Sequence, residues 1–139
     1  MSVSTVESGR VELSSRTAVL ALGDVLALLI FVVAGEYSHG IDPLANPGRV
    51  GGTLAPFLIG WGLVAVAGGL YAAPSRSSLG RTLATTFGGW VLAVVVAQLL
   101  RATAVFHGDA ALTFALVSTF VGGVLLVGWR LIATLVLAE

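Results

Sequence analysis

Four long apolar segments divide this chain, and they constrain its fold more than any other feature. Each is about as long as the ~20 residues that an α-helix needs to cross the ~30 Å hydrocarbon core of a bilayer. The segments lack the alternation of barrel strands, and only helices satisfy their own backbone hydrogen bonds in lipid. The sequence therefore predicts an all-α, polytopic membrane protein, a bundle of four transmembrane helices at residues 17–36, 50–73, 82–101 and 110–138.

The composition excludes several classes of function. Apolar residues make up 57% of the chain and charged residues only 10%, with seven basic and seven acidic side chains in balance. No basic surface is left for nucleic acid, so we expect no nucleic acid partner. The chain has no cysteine, which removes disulfides, thiolate metal sites and thiol nucleophiles. Because it also lacks a phosphate-binding loop and catalytic motifs, we expect no enzymatic activity and no cofactor.

The chain is long enough for one membrane domain. Residues 17–139 are expected to form it, and residues 1–16, a mixture without periodicity, to form a flexible tail. The first apolar segment could be mistaken for a signal peptide. However, Asp24 interrupts it and acidic residues precede it, so we expect a retained helix.

Arginines near the helix ends predict the orientation, because positive residues resist translocation. Five of the seven fall in the N-terminal tail, the middle loop and the C-terminal end, and two fall in the other loops. We therefore expect a multi-pass protein of the cell membrane with both termini in the cytoplasm. The five arginines on that side are Arg10, Arg16, Arg76, Arg81 and Arg130.

Small residues recur every four positions in three of the predicted helices. In lipid, such stripes let helix backbones approach closely. They predict either close packing within one bundle or contacts with a second copy or a larger membrane complex. The stripes are Ala65, Gly69 and Ala73, then Gly89, Ala93 and Ala97, then Ser118 and Gly122.

Asp24 is an acid inside the first apolar segment, where water does not solvate a charge. At ~1.5 Å rise per residue, Arg130 in the fourth helix reaches a comparable depth on the same side. A contact would reduce the roughly 2.5–3.5 kcal/mol that each charge costs alone. Alternatively, Arg130 snorkels to the interface as an anchor beside Trp129. Three roles remain open for Asp24 itself: a proton or cation carrier, half of an ion pair, or a neutral hydrogen-bonded carboxyl.

A second polar set falls at the predicted outer loops. Glu36 and His39 are three residues apart and share a face if the first helix extends one turn. Nitrogen and oxygen ligands at loop ends suit a metal or a proton relay, although the spacing matches no known zinc motif. Ordinary interfacial solvation is the alternative, and a metal stays unassigned. The outer polar cluster consists of Glu36, His39, Arg101, His107 and Asp109.

Several of these residues together carry a resemblance that covers most of the chain. They are Asp24, Gly35-Glu36 with His39, Pro56 to Trp61, Leu100-Arg101, Thr113-Phe114 and Gly128-Trp129-Arg130. With them the chain resembles an uncharacterised family of small four-span membrane proteins, a domain of unknown function found in haloarchaea and actinobacteria. The resemblance implies fold and location but no activity. Actinobacterial members often have Arg at the position of Glu36, which argues against a fixed metal ligand there.

Two classes of function follow from these features. The first is a transporter or channel for protons, ions or a small solute, with Asp24 as an intramembrane carboxylate. The alternative is a non-catalytic structural or accessory subunit of a membrane assembly, with the small-residue faces as contacts. The lipid bilayer is the expected partner in both.

Overall fold

The computed structural model describes residues 14–71, 78–103 and 112–137. The described chain folds into four helices that are long and apolar enough to cross a membrane. The predicted all-α, four-helix membrane architecture is therefore confirmed. The helices are α1 (Ser15–Ser38), α2 (Pro47–Ala67), α3 (Leu79–Arg101) and α4 (Leu112–Val136).

Local sequence signals explain where three helices begin. The Ser14 hydroxyl accepts a hydrogen bond from the Thr17 backbone N–H and caps α1, and Ser78 caps α3 in the same way through Arg81. These bonds satisfy backbone donors that have no partner inside the helix. α2 begins instead with Pro47, whose missing N–H costs least at this position.

α2 ends at Ala67, well before the predicted end at residue 73. Gly69 adopts a φ of +76°, and the N–H of Leu70 bonds back to the carbonyl of Ala65, which is how a helix closes on a left-handed glycine. Gly69 therefore does not belong to a helical stripe, and Ala73 lies outside the described residues. The turn sends Leu70 and Tyr71 back into the bundle, where both side chains are buried.

Aromatic rings from all four helices meet in the core. Phe31 of α1 and Phe57 of α2 contact each other, and both contact Trp90 of α3 and Phe114 of α4, with ring centroids 5.4–6.4 Å apart. Their geometries are mainly edge-to-face or stacked, the arrangements that aromatic quadrupoles favour. Phe31 and Phe57 thus connect α1 and α2 to each other and to both remaining helices.

Small residues let the helices approach closely. A Cβ built on Gly60 would lie 2.6 Å from the carbonyl oxygen of Ala93, so the backbones of α2 and α3 are almost in contact there. The predicted stripe residues of the described helices are buried between helices of this one chain. They are Ala65, Gly89, Ala93, Ala97, Ser118 and Gly122. These stripes therefore need no second copy to cover them.

α4 contains a π-helical turn at Ser118–Gly122. Such turns interrupt the regular backbone bonding of a helix. Here the indole N–H of Trp90 donates to the carbonyl of Ser118 at 2.9 Å and supplies that buried acceptor with a partner. A side chain on Gly122 would overlap the Trp90 ring, so the turn fits against α3 only with glycine at this position.

Large apolar side chains cover the outside of the bundle. Exposed leucines occur on every helix, and they include Leu22, Leu63, Leu92 and Leu135. A continuous apolar exterior of this kind would be unusual on a protein surrounded by water. It is the surface expected of helices surrounded by lipid tails.

Candidate functional site

Asp24 of α1 and Arg130 of α4 form a buried ion pair in the half of the bundle where α1 begins and α4 ends. The guanidinium binds the carboxylate with two bonds, from Nη2 to Oδ2 at 2.6 Å and from Nε to Oδ1 at 3.1 Å. Two-point contacts of this type are among the stronger charge-assisted hydrogen bonds. Asp24 is 0% exposed and Arg130 is 1% exposed. The structure thus brings the two residues together, and the arginine points inward.

Tyr71 completes this site, and sequence reasoning missed it. Its hydroxyl donates to Asp24 Oδ2 at 2.5 Å, and the indole N–H of Trp61 donates to the tyrosine oxygen at 2.9 Å. On the other side, Nη1 of Arg130 donates to the carbonyl of Leu70 at 3.2 Å. We call Asp24, Arg130, Tyr71, Trp61 and Leu70 together the Asp24 network. It joins α1, α2, the turn after α2, and α4.

The turn after α2 explains how Tyr71 reaches the acid. Gly69 reverses the chain, and Tyr71 follows it beyond the end of the second span. Burial, together with the nearby Asp24 carboxylate, raises the pKa of the Tyr71 phenol above its usual value. The phenol therefore stays protonated and can donate. A glycine pair inside an apolar run, Gly68-Gly69, is the sequence signal that could have revealed this break.

Both oxygens of the Asp24 carboxylate accept hydrogen bonds in the described structure. The carboxylate accepts two bonds from Arg130 and one from Tyr71. A proton or a cation could reach the acid only by displacing one of these donors. In the described structure the arrangement is a closed link between the first and last helices.

Trp129 holds α4 against α1 beside this link. Its indole N–H donates to the carbonyl of Leu20 at 3.2 Å, and a side chain on Gly23 would overlap its ring. The sequence left open an interfacial anchor at Trp129, and the structure packs its indole on the neighbouring helix. Because Gly23 immediately precedes Asp24, the contact keeps the two helices close where the ion pair forms.

A second ion pair lies at the opposite end of the bundle. Nε of Arg49 in α2 lies 3.1 Å from Oε1 of Glu36 in α1, and the Thr53 hydroxyl donates to Oε2 at 3.4 Å. Glu36 is 7% exposed, but the Arg49 side chain is 53% exposed. This pair therefore lies at the rim of the bundle, where one partner is in contact with the surroundings.

Two described members of the predicted outer cluster, Glu36 and His39, line the same cavity at this end of the bundle. His39 is exposed, and its backbone N–H caps α1, while the guanidinium of Arg101 lies 4.4 Å from the centre of the Phe114 ring. His107 and Asp109 lie outside the described residues. Within the described ranges, no three His, Asp or Glu side chains are placed to hold a metal ion. The metal interpretation therefore draws no support from the described part of the cluster.

A cavity of about 350 Å³ lies beside Glu36, between α1, α2 and α4. Its walls are mostly apolar, with a few polar groups near Glu36. The polar lining includes Glu36, His39, Thr53 and Thr113, and the apolar lining includes Phe31, Val32, Phe114 and Val117. The bundle thus differs at its two ends, with a cavity near Glu36 and a closed link at Asp24.

A comparison with protein families matches most of the chain. Residues 21–133 match the model described as "Protein of unknown function (DUF3054)", a range that contains the Asp24 network and the Glu36 cavity. No curated protein and no solved structure gave a match. Because the family model covers well over half of its length, the chain belongs to this family of proteins of unknown function.

Proposed function

We propose that this protein is a small membrane transporter or channel for protons, ions or a small solute, in which the Asp24 network is a gate. The observation that carries the proposal is the buried two-bond contact between Asp24 and Arg130. Removing two charges from water costs several kcal/mol per ion, and apolar side chains of similar volume often stabilise a core equally well. A charged link inside a membrane is therefore better explained by a role in function than by stability alone.

As part of a gate, Asp24 has a different role from that of a carrier acid. A carrier acid must be reached by its cargo, but Asp24 is fully buried beneath Arg130 and Tyr71. A proton or cation that arrives at the acid would compete with the guanidinium and release α4 from α1. Such competition shifts the equilibrium between the closed and open states by the difference in the free energy with which the proton or cation binds to each state.

The second ion pair supports an asymmetric, gated bundle. α1 has one acid in its first half, Asp24, and one in its last turn, Glu36, and each acid pairs with an arginine of a different helix. Arg130 is buried, whereas half of the Arg49 side chain is exposed. Alternating access requires one end to be closed while the other is accessible, and this difference between the two ends fits that requirement.

Ion flux in liposomes tests the gate. Asp24→Asn keeps the shape of the side chain but removes its charge, so the link to Arg130 should weaken and passive proton or cation flux should rise severalfold over wild type. A carrier acid would give the opposite result, a loss of flux. Asp42→Asn is the matched control, because Asp42 is an exposed loop acid whose carboxylate accepts the N–H of Leu44. It should leave flux unchanged.

An absence of flux would distinguish between the two classes of function. If wild type and Asp24→Asn conduct no more than protein-free liposomes, with the protein folded, the gate is excluded. The alternative, a non-catalytic structural or accessory subunit of a membrane assembly, would then be favoured. Gentle purification from the native membrane, followed by identification of the proteins bound to it, would be the next experiment.

We also propose that the protein lies in the cell membrane with both termini in the cytoplasm. Arg130 is neutralised by Asp24, yet four of the other six arginines still lie on the side of the termini, which supports this orientation. A C-terminal fusion to a fluorescent protein should therefore fluoresce, and a fusion to alkaline phosphatase should be inactive. An active phosphatase fusion would show that the C-terminus lies outside the cytoplasm and would contradict this orientation.

A further inference from the structure

We propose that the cavity beside Glu36 binds a small organic cation, an amine attached to an apolar body. The proposal concerns a separate site from the gate at the other end of the bundle, and it is tested by binding rather than by flux. The volume of about 350 Å³ lies within the roughly 300–1,000 Å³ of typical small-molecule sites. Such sites are mostly apolar and contain a few polar groups that orient the ligand.

Glu36 supplies the charge that selects a cation. It is the one carboxylate among the described residues that line the cavity, and no arginine is among them. An ionised carboxylate accepts about four hydrogen bonds. In the described structure Glu36 receives one from Arg49 and a longer one from Thr53. It therefore has acceptor capacity left for an ammonium group.

The walls of the cavity suit the apolar body of such a ligand. Phe31 and Phe114 both line it, with their rings 6.4 Å apart and nearly parallel. Aromatic rings attract cations placed near their faces and also bury apolar surface. The hydroxyls of Thr53 and Thr113 also border the cavity and can hydrogen-bond to the bound amine.

An organic anion is the competing ligand class, because Arg101 lies close to the cavity. Its guanidinium lies against the Phe114 ring, but Arg101 is not among the lining residues. An anion inside the cavity would be in direct contact with the Glu36 carboxylate, and like charges at short range repel. The cavity therefore favours a cation over an anion.

Arg49 acts as an internal competitor for the same carboxylate. Because its side chain is 53% exposed, it can leave Glu36 and turn to the surroundings when an amine binds. The amine then takes the place of the guanidinium, and Glu36 keeps a positive partner throughout. Removal of Arg49 should therefore strengthen amine binding, which simple partitioning of an amine into micelles would not show.

Titration calorimetry of the full chain in detergent tests the ligand class. Benzylamine is the probe, with benzyl alcohol and benzoate as neutral and anionic counterparts of nearly the same shape. We expect saturable benzylamine binding at least about tenfold tighter than that of either counterpart, as for a ligand that gains one charge-assisted bond. Benzoate binding as tight as benzylamine binding, or no saturable benzylamine binding, would overturn the proposal.

Variants then locate the site. Glu36→Gln should weaken benzylamine binding at least about tenfold, and Arg49→Gln should strengthen it about fivefold, the value of a partly exposed ion pair. Val117→Phe keeps the carboxylate but fills the cavity, so it should also abolish binding. Asp42→Asn should change nothing. If Arg49→Gln weakens binding, or if Val117→Phe leaves it intact while thermal unfolding shows a folded protein, the site is excluded.

Discussion

Replacing Arg130 by methionine is expected to destabilise the protein by about 3–5 kcal/mol, the usual result of leaving a buried charge without its partner. Asp24 is fully buried and would keep only its hydrogen bond from Tyr71. The carbonyl of Leu70 would also lose its bond from Arg130. The free energy of unfolding can be measured in mixed micelles with increasing sodium dodecyl sulfate, followed by tryptophan fluorescence.

The matched double variant separates charge from packing. In Asp24→Leu with Arg130→Met no charge remains unpaired, so most of the lost stability should return, to within about 1 kcal/mol of wild type. Tyr71→Phe is the control, because it keeps the ion pair but removes the donor to Asp24 and the acceptor of the Trp61 N–H, and it should cost about 1–3 kcal/mol. If the double variant is no more stable than Arg130→Met alone, the unpaired charge is not the cause of the loss.

Replacing Gly122 by alanine is expected to destabilise the protein by about 2–3 kcal/mol, at the upper end of the range for overpacked cores. The added methyl group would overlap the Trp90 ring. That ring is 0% exposed and its N–H is bonded to the carbonyl of Ser118, so it has little freedom to move away. The same denaturation experiment measures the effect.

Gly128 is the matched control on the same helix. No described atom outside its own helix lies within 4 Å of a Cβ at this position, so Gly128→Ala should change stability by no more than about 0.5 kcal/mol. Combining Gly122→Ala with Trp90→Leu should recover part of the loss by making room for the methyl group. Equal effects of the two glycine substitutions would show that helix propensity, and not contact with Trp90, decides the result.

The fold could be predicted from the sequence because the apolar segments that mark the helices are also the physical reason why they form in lipid. Four apolar segments of spanning length have few alternatives in lipid. The end of α2 was harder to predict, since the apolar run continues through Gly68-Gly69 to Tyr71 although the helix does not. In a membrane, residues facing lipid and residues facing the core are both apolar, so hydrophobicity marks a span better than it marks a helix end.

The candidate site could be predicted only in part. Asp24 and Arg130 are charges in helices, and the regular helical rise is enough to place them at similar depth, where they form an ion pair. Tyr71 and Arg49 reach their acids from positions set by a glycine turn and by the first loop. Their contacts depend on backbone angles outside regular helix, which spacing along the chain does not specify.

The π turn in α4 sets the relative rotation of the two ends of the molecule. In an unbroken helix with 100° per residue, Phe114 and Arg130 would point about 160° apart. One extra residue in the Ser118–Gly122 turn reduces that angle to about 60°. Phe114 at the wall of the cavity and Arg130 of the Asp24 network therefore share the inward side of one helix. A relative without the extra residue would turn one of them towards lipid, so this position tolerates no change in length.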